Sequence, residues 1–202
     1  MIGKYVLGMA FIAGMAAAVC AAPGDDAVIP DSVKKKVKVV TVSHKGGDFA
    51  DPAAAVASIT DAHAGNPYQV LVGPGVYSLE RPLVMKQYVS IDGSGRDATT
   101  LTGAVSTLDY DASSALVTGA DNAGLRDLTI ENNGGSAVSI ALYNDGTAPV
   151  LENVTLKATG GTYNYGIYNV SAAPVLTEVT AVASGGAYNY DVFNSGTPGA
   201  GN

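Results

Sequence analysis

The chain has 202 residues, 47% hydrophobic and 14% charged, with 25 glycines, 11 tyrosines, no tryptophan and a formal net charge of -7. This composition fits neither a disordered chain nor a helical bundle, and the length suits one domain. The acidic balance argues against a nucleic-acid partner, whose phosphates call for a basic surface.

Residues 1–22 read as a secretory signal peptide. Lys4 is the basic start, Tyr5 to Val19 is an apolar run, and Cys20-Ala21-Ala22 places small residues before a cut ahead of Pro23. The run falls short of the roughly 20 residues that a membrane crossing needs. In an alternative, Ala17-Ala18-Val19-Cys20 is a lipoprotein signal and Cys20 carries a lipid anchor, although Val19 is bulkier than the usual residue at that place. Cleavage after Ala22 removes the single cysteine, so packing and the backbone ladder must stabilise the mature chain without a disulfide. The expected location is secreted, periplasmic or at the cell surface.

Residues 23–36 read as a flexible tether that ends in the basic run Lys34-Lys35-Lys36. Val37, Val39, Val40 and Val42 mark a first strand. A capping helix is expected over 51–64, with Asp51 as N-cap, Pro52 in the first helical position and Gly65-Asn66-Pro67 as the stop. Val56, Ile59 and His63 would form its apolar stripe. Short apolar strands closed by glycine turns follow, among them Gln69 to Val72, Tyr88 to Ile91, Thr100 to Thr102, Ala115 to Val117 and Leu125 to Ile130. No second helix appears, which disfavours a βαβ sheet.

The strongest signal is a repeat. Pro149-Val150-Leu151-Glu152-Asn153-Val154-Thr155 and then Tyr163-Asn164-Tyr165-Gly166-Ile167-Tyr168-Asn169 return 25 residues later as Pro174 to Thr180 and Tyr188 to Asn194. A looser copy precedes them, with Gly134-Gly135, Ile140 and Tyr143-Asn144 in the same order, so the clearest repeats run over 125–194. Strand-sized apolar groups between Gly, Asn and Pro corners predict an all-β, single-stranded right-handed parallel β-helix over 37–195, followed by a tail at 196–202. At one strand spacing per turn, residues 68–194 make roughly five coils and a rod about 24 Å long. The expected inward ladders are Val150 on Val175, Leu151 on Leu176, Val154 on Val179, Leu156 on Ala181 or Val182, and Ile167 on Val192.

Catalytic groups are scarce. His44 and His63 have no third partner, so no metal or other cofactor is expected. Asp92, Asp97, Asp109 and Asp111 lie in turn sequences, where Asp bonds its own backbone, and no catalytic residue is assigned. The repeat suggests a different kind of site. Tyr163, Tyr165 and Tyr168 should stack on Tyr188, Tyr190 and Phe193, with Asn164 and Asn169 over Asn189 and Asn194. Such ladders can serve coil packing alone. If outward members are exposed, as strand alternation requires of at least one tyrosine per coil, they also suit stacking on sugar rings.

Val39 to Phe49 with the following helix, Gly75-Val76-Tyr77-Ser78-Leu79-Glu80, and Val89-Ser90-Ile91-Asp92-Gly93-Ser94-Gly95 resemble the opening coils of the pectin lyase-like superfamily, especially pectin methylesterases. In that resemblance Tyr77, Glu80, Gly93 and Gly95 match structural features. The 25-residue unit also resembles repeats of bacterial surface proteins of the same superfamily. The resemblance implies a right-handed β-helix and, for the esterases, paired aspartates, an arginine and glutamines. No Gln-Asp pair follows Gly95, and Arg126 is the only arginine after Arg96, so these roles do not carry over. The function expected is a non-enzymatic β-helix that binds polysaccharide or cell-surface glycan through Tyr163, Asn164, Tyr165, Tyr168, Tyr188, Asn189, Tyr190 and Asn194. The alternatives are a self-associating structural module stacked through an open last coil, and a divergent pectin-type lyase or esterase around Asp92, Asp109 and Asp111.

Overall fold

A computed structural model describes residues 36–197. The signal peptide, the Cys20 anchor, all but the last residue of the tether and most of the tail lie outside the described residues. The fold is an all-β, right-handed parallel β-helix with one short N-terminal helix. Its elements in order are β1 (Lys38–Val42), α1 (Pro52–Ser58), β2 (Tyr68–Val72), β3 (Gly75–Ser78), β4 (Leu83–Val84), β5 (Val89–Asp92), β6 (Thr99–Gly103), a 3₁₀ turn at Ala112–Ser114, β7 (Ala115–Thr118), β8 (Gly124–Asn132), β9 (Val138–Asp145), β10 (Val150–Ala158), β11 (Tyr163–Val170), β12 (Val175–Thr177), β13 (Thr180–Ala183) and β14 (Tyr188–Ser195).

Every strand pairing between these elements is parallel, with each strand lying on its equivalent one coil earlier. One sheet runs β1-β2-β5-β8-β10-β12, with β3, β6 and β13 attached, and the second runs β14-β11-β9-β7-β4. The pairs Val70 to Ile91, Ile91 to Leu125, Leu125 to Leu151 and Leu151 to Leu176 set coil lengths of 21, 34, 26 and 25 residues. The 25-residue repeat therefore continues the same sheets and is no separate module.

Three apolar columns fill the interior. Val70, Ile91, Leu125 and Leu151 form the first, Tyr77, Leu101, Ile130 and Leu156 the second, and Leu83, Val117, Leu142 and Ile167 the third. All twelve are 2% exposed or less. Each such side chain contributes about 1.5–3 kcal/mol relative to exposure, so in-register stacking supplies most of the driving force.

The expected ladders need correction at the corners. Asp127, Asn153 and Glu178 all have φ near +53°, turning the chain between two strand segments of each coil. The turn resets the alternation, so Leu151 and Val154 point inward while Val150 is half-buried and Val175 is exposed. On the partner coil Ala181, not Val182, lies over Leu156. Leu176 and Val192 occupy their columns but remain 42% and 45% exposed, because no described coil covers them.

The helix is also shorter than expected. Asp51 caps it, its carboxylate accepting from the Ala53 amide at 2.8 Å, with Pro52 next. It stops at Ser58, where Ile59 adopts extended geometry and its amide donates to the Val56 carbonyl. The Lys86 ammonium donates to the carbonyls of Ala57 and Ile59, satisfying the helix end without a further turn. Ile59 is still buried, but His63 is exposed and bridges to Asn66.

Arg96 fastens the corner column. Its guanidinium donates to Asn153 Oδ1 and to the Glu178 carbonyl, each at 2.7 Å, and Asn153 Nδ2 donates to Asp127 Oδ1 at 2.6 Å. Asn and Asp tolerate the left-handed region, whereas Glu gains nothing there. Arg96→Ala is expected to cost about 2 kcal/mol through lost charge-assisted bonds, and Glu178→Asn to add a few tenths of a kcal/mol, about the scale of backbone compatibility effects. Chemical denaturation of both variants checks the pair.

Candidate functional site

The second sheet carries polar ladders on its inner side and rings on its outer side. Asn144 donates to Asn169 and Asn169 to Asn194, each at 2.8 Å, and Asn164 donates to Asn189 at 2.9 Å. Asn164 also exchanges bonds with the Gly161 amide and carbonyl and donates to the Ser184 carbonyl. It is fully buried, and its amide is spent within the stack. Asn189 repeats the same turn with Gly186, and both Asn189 and Asn194 are exposed at the last coil.

The tyrosines stack in the expected register. Tyr163 lies on Tyr188 at 4.7 Å and 8°, Tyr165 on Tyr190 at 5.1 Å and 9°, and Tyr168 against Phe193 at 5.0 Å with a 41° tilt. Tyr143, one coil earlier, approaches Tyr168 at 5.7 Å. All three tyrosines of β11 join one satellite cluster with Ala115, Val138 and Ile140, separate from the cluster that holds Ile167. The pairing skips Gly166 opposite Ala141 and Asp191, and this irregularity lets Tyr165 and Tyr168 share a side while Ile167 faces inward. A Cβ on Gly166 would sit 2.6 Å from the Asp191 carbonyl oxygen, so the close approach of the last coil calls for glycine here, although the equivalent positions carry Ala141 and Asp191.

Exposure is divided more sharply than alternation predicts. Tyr165 and Tyr168 are buried at 4% and 9%, whereas Tyr188 and Tyr190 are 49% and 38% exposed and Tyr163 is half-buried. Tyr188 and Tyr190 stand on the last described coil with no described coil above them, while Tyr163 and Tyr165 are also covered by a loop whose place the spacing of the repeat does not reveal. The 34-residue coil carries an insertion between β6 and β7, and its Tyr110 meets Tyr163 and Tyr165 edge-on at 5.6 and 6.2 Å. Fully buried Asn132 anchors that loop: its side chain accepts from the Val105 amide and donates to the carbonyls of Val105, Ser114 and Ile140. Its only sequence signal was its place in an Asn-Asn-Gly-Gly corner.

Burial raises the Tyr165 and Tyr168 phenols above the ordinary value. Tyr110 is raised as well, by desolvation first and then by its neighbour Tyr163, and Tyr143 by desolvation and then by the Asp145 and Asp111 charges. Asp111 caps the 3₁₀ turn, accepting from the Ser113 amide, and the Ser113 side chain first and this amide second lower its pKa. Asp92 is held elsewhere, on the first sheet, by Gln69 and Ser90. Asp92, Asp109 and Asp111 thus form no single constellation. Among the described residues no group of three His, Cys, Asp or Glu could hold a metal.

No protein-family model and no curated protein matches the sequence. Among solved structures, the fold is similar to a pectin methylesterase in complex with a hexasaccharide, at 17% identity and TM-score 0.51 over 69% of this chain and 54% of that one. It is likewise similar to the pectin methylesterase of carrot, at 20% identity and TM-score 0.51 over 72% of this chain and 49% of that one. The chain spans about half the length of these proteins, and the likeness is one of fold.

The raised phenols predict a two-stage alkaline titration. Neutral phenols favour the folded state fully below about pH 10, the ordinary tyrosine value, and that contribution fades as pH rises toward the raised values. Phenolate absorbance should show Tyr77, which burial in the core also raises, ionising above pH 10 with Tyr110, Tyr143, Tyr165 and Tyr168, together with alkaline unfolding. Tyr165→Phe should remove part of the late phase.

Proposed function

We propose that the outer side of the β11–β14 sheet binds carbohydrate or another surface polymer. One observation carries this reading: Tyr188 and Tyr190 are substantially exposed, and each has one ring face held flat on the coil beneath. Their orientation is set before a ligand arrives, so little side-chain freedom remains to be lost on binding. Phenol rings with an apolar face and a polar rim suit the apolar faces and hydroxyls of sugars. Tyr163 and Tyr110 flank them, while Asn189 and Asn194, exposed at the end of the inner ladders, are bonded to Gly186, Asn164 and Asn169 and hold the coil in place. Asn164, Tyr165 and Tyr168 act beneath this surface as its support. The signal-peptide reading of residues 1–22 supports a secreted or cell-surface setting.

Single contacts of this kind are weak and gain strength by repetition along a polymer. Changing both Tyr188 and Tyr190 to Ala should cost about 1 kcal/mol per ring, a loss of about tenfold or more on a glycan array, with unchanged circular dichroism. Equal binding by the double variant on an array where the parent shows ligands counts against the reading.

A second reading rests on the apolar edge of the last described coil. Leu176 and Val192 are 42% and 45% exposed over their inner columns, with the outward Val175 and Val182 beside them at 54% and 41%. The opposite edge is blocked, since the Asp48 carboxylate accepts from the Thr41 amide and Phe49 pairs with Val42. Stacking between two copies would therefore join like ends and close at a dimer. Sedimentation across a range of concentrations should show this dimer, and Val192→Lys should abolish it; a monomer at the highest concentration removes this reading.

A further inference from the structure

A second concave surface lies on the first sheet, away from the tyrosine stack. It is an open groove of about 530 Å³. It arises because outward rows cross the strands in register. Gln69, Ser90, Gly124 and Val150 form one row on β2, β5, β8 and β10, and Asp92, Arg126 and Glu152 form the next. Gly124 is the gap in the first row: a Cβ there would stand 3.0 Å from the Ser90 hydroxyl, so the missing side chain opens the floor. Tyr68 and Tyr88 line the same groove.

The polar groups are held in place. Tyr68 donates its hydroxyl to Asp61 and accepts from Lys38 at 2.9 Å. The Asp92 carboxylate accepts from Gln69 and Ser90, and Arg126 Nε lies 3.2 Å from Glu152. The backbone at Tyr88 is set by a φ of +63° and by its amide donating to the Asn122 carbonyl at 3.0 Å, which fixes where its ring leaves the chain. Side chains fixed before binding lose little entropy when a ligand arrives.

The chemistry selects among ligands. Asp92, Arg126 and Glu152 alternate in sign one strand spacing apart, so neither a polyanion nor a polycation meets a matching field. An extended peptide would seek unpaired backbone groups, and here the strands beneath the groove are paired with one another across its floor. What remains is a row of amide, hydroxyl, carboxylate and guanidinium groups beside phenol rings. We infer that this groove binds a short uncharged oligosaccharide lying along the solenoid axis, as a site separate from the tyrosine stack.

The test uses the full chain carrying Tyr188→Ala and Tyr190→Ala, which silences the stack without touching the groove. Uncharged hexamers of glucose, xylose and mannose are titrated by calorimetry, alongside hexagalacturonate and an extended uncharged peptide. At least one uncharged hexamer should bind this background at a single site. Adding Gly124→Val, which fills the floor, or Tyr88→Asn, which removes a ring while suiting the positive φ, should each weaken it about tenfold or more. Tyr88→Asn keeps the test valid if Gly124→Val fails to fold. The inference is overturned if no uncharged hexamer binds the background, if binding survives both groove changes, or if hexagalacturonate or the peptide binds more tightly. Loss of all binding in the background alone would leave the stack reading standing and remove this one.

Discussion

Every residue in a coil sits on its equivalent in the coil below, one strand spacing away, and this parallel register governs the rest of the molecule. It turns single side chains into columns. Leucine and isoleucine columns become a dry interior in which each member shields the next. Asparagine columns become chains of amide hydrogen bonds, such as Asn144 to Asn169 to Asn194, that satisfy buried amide donors which would otherwise cost stability, with only the Asn144 oxygen at the head of this chain left without a partner. Tyrosine columns become stacks with a common tilt.

The same constraint separates support from surface. In a column only the terminal member, or one beside a gap, meets solvent. Asn164 and Tyr165 are buried although their equivalents Asn189 and Tyr190 are exposed, so chemically identical positions take different roles one coil apart. The insertion in the 34-residue coil adds a second division by laying Tyr110 against Tyr163 and Tyr165. A regular scaffold thus presents a small, rigid set of rings, and rigidity is the property that weak, repeated contacts most need.

The two sheets present different chemistry for a related reason. On the second sheet the repeat places aromatic over aromatic from β11 to β14, giving a uniform surface over the last two coils, whereas β9 beneath carries Val138 and Ile140. On the first, coils of unequal length bring unlike residues into one row, so that Asp92, Arg126 and Glu152 alternate and Gly124 opens a gap. Uniform rows suit a repeating contact, whereas mixed rows can discriminate.

What the amino-acid sequence determined by itself was whatever depends on spacing alone. The 25-residue period is enough to place Tyr163 on Tyr188 and Asn169 on Asn194, because equal intervals force equal positions in a solenoid. The Asp51-Pro52 start of the helix was legible for a local reason, since capping needs only neighbours. Only the tertiary structure decided which way side chains point and which distant coils share a face. The positive-φ corner at Asn153 and the irregularity at Gly166 each reset the alternation, which moved Val150 out of the core and put three tyrosines on one side. The helix ended early because Lys86, far along the chain, satisfies its last carbonyls. The groove was hidden in the sequence because Gln69, Asp92, Gly124 and Arg126 come from coils of 21 and 34 residues, and unequal intervals leave no visible repeat.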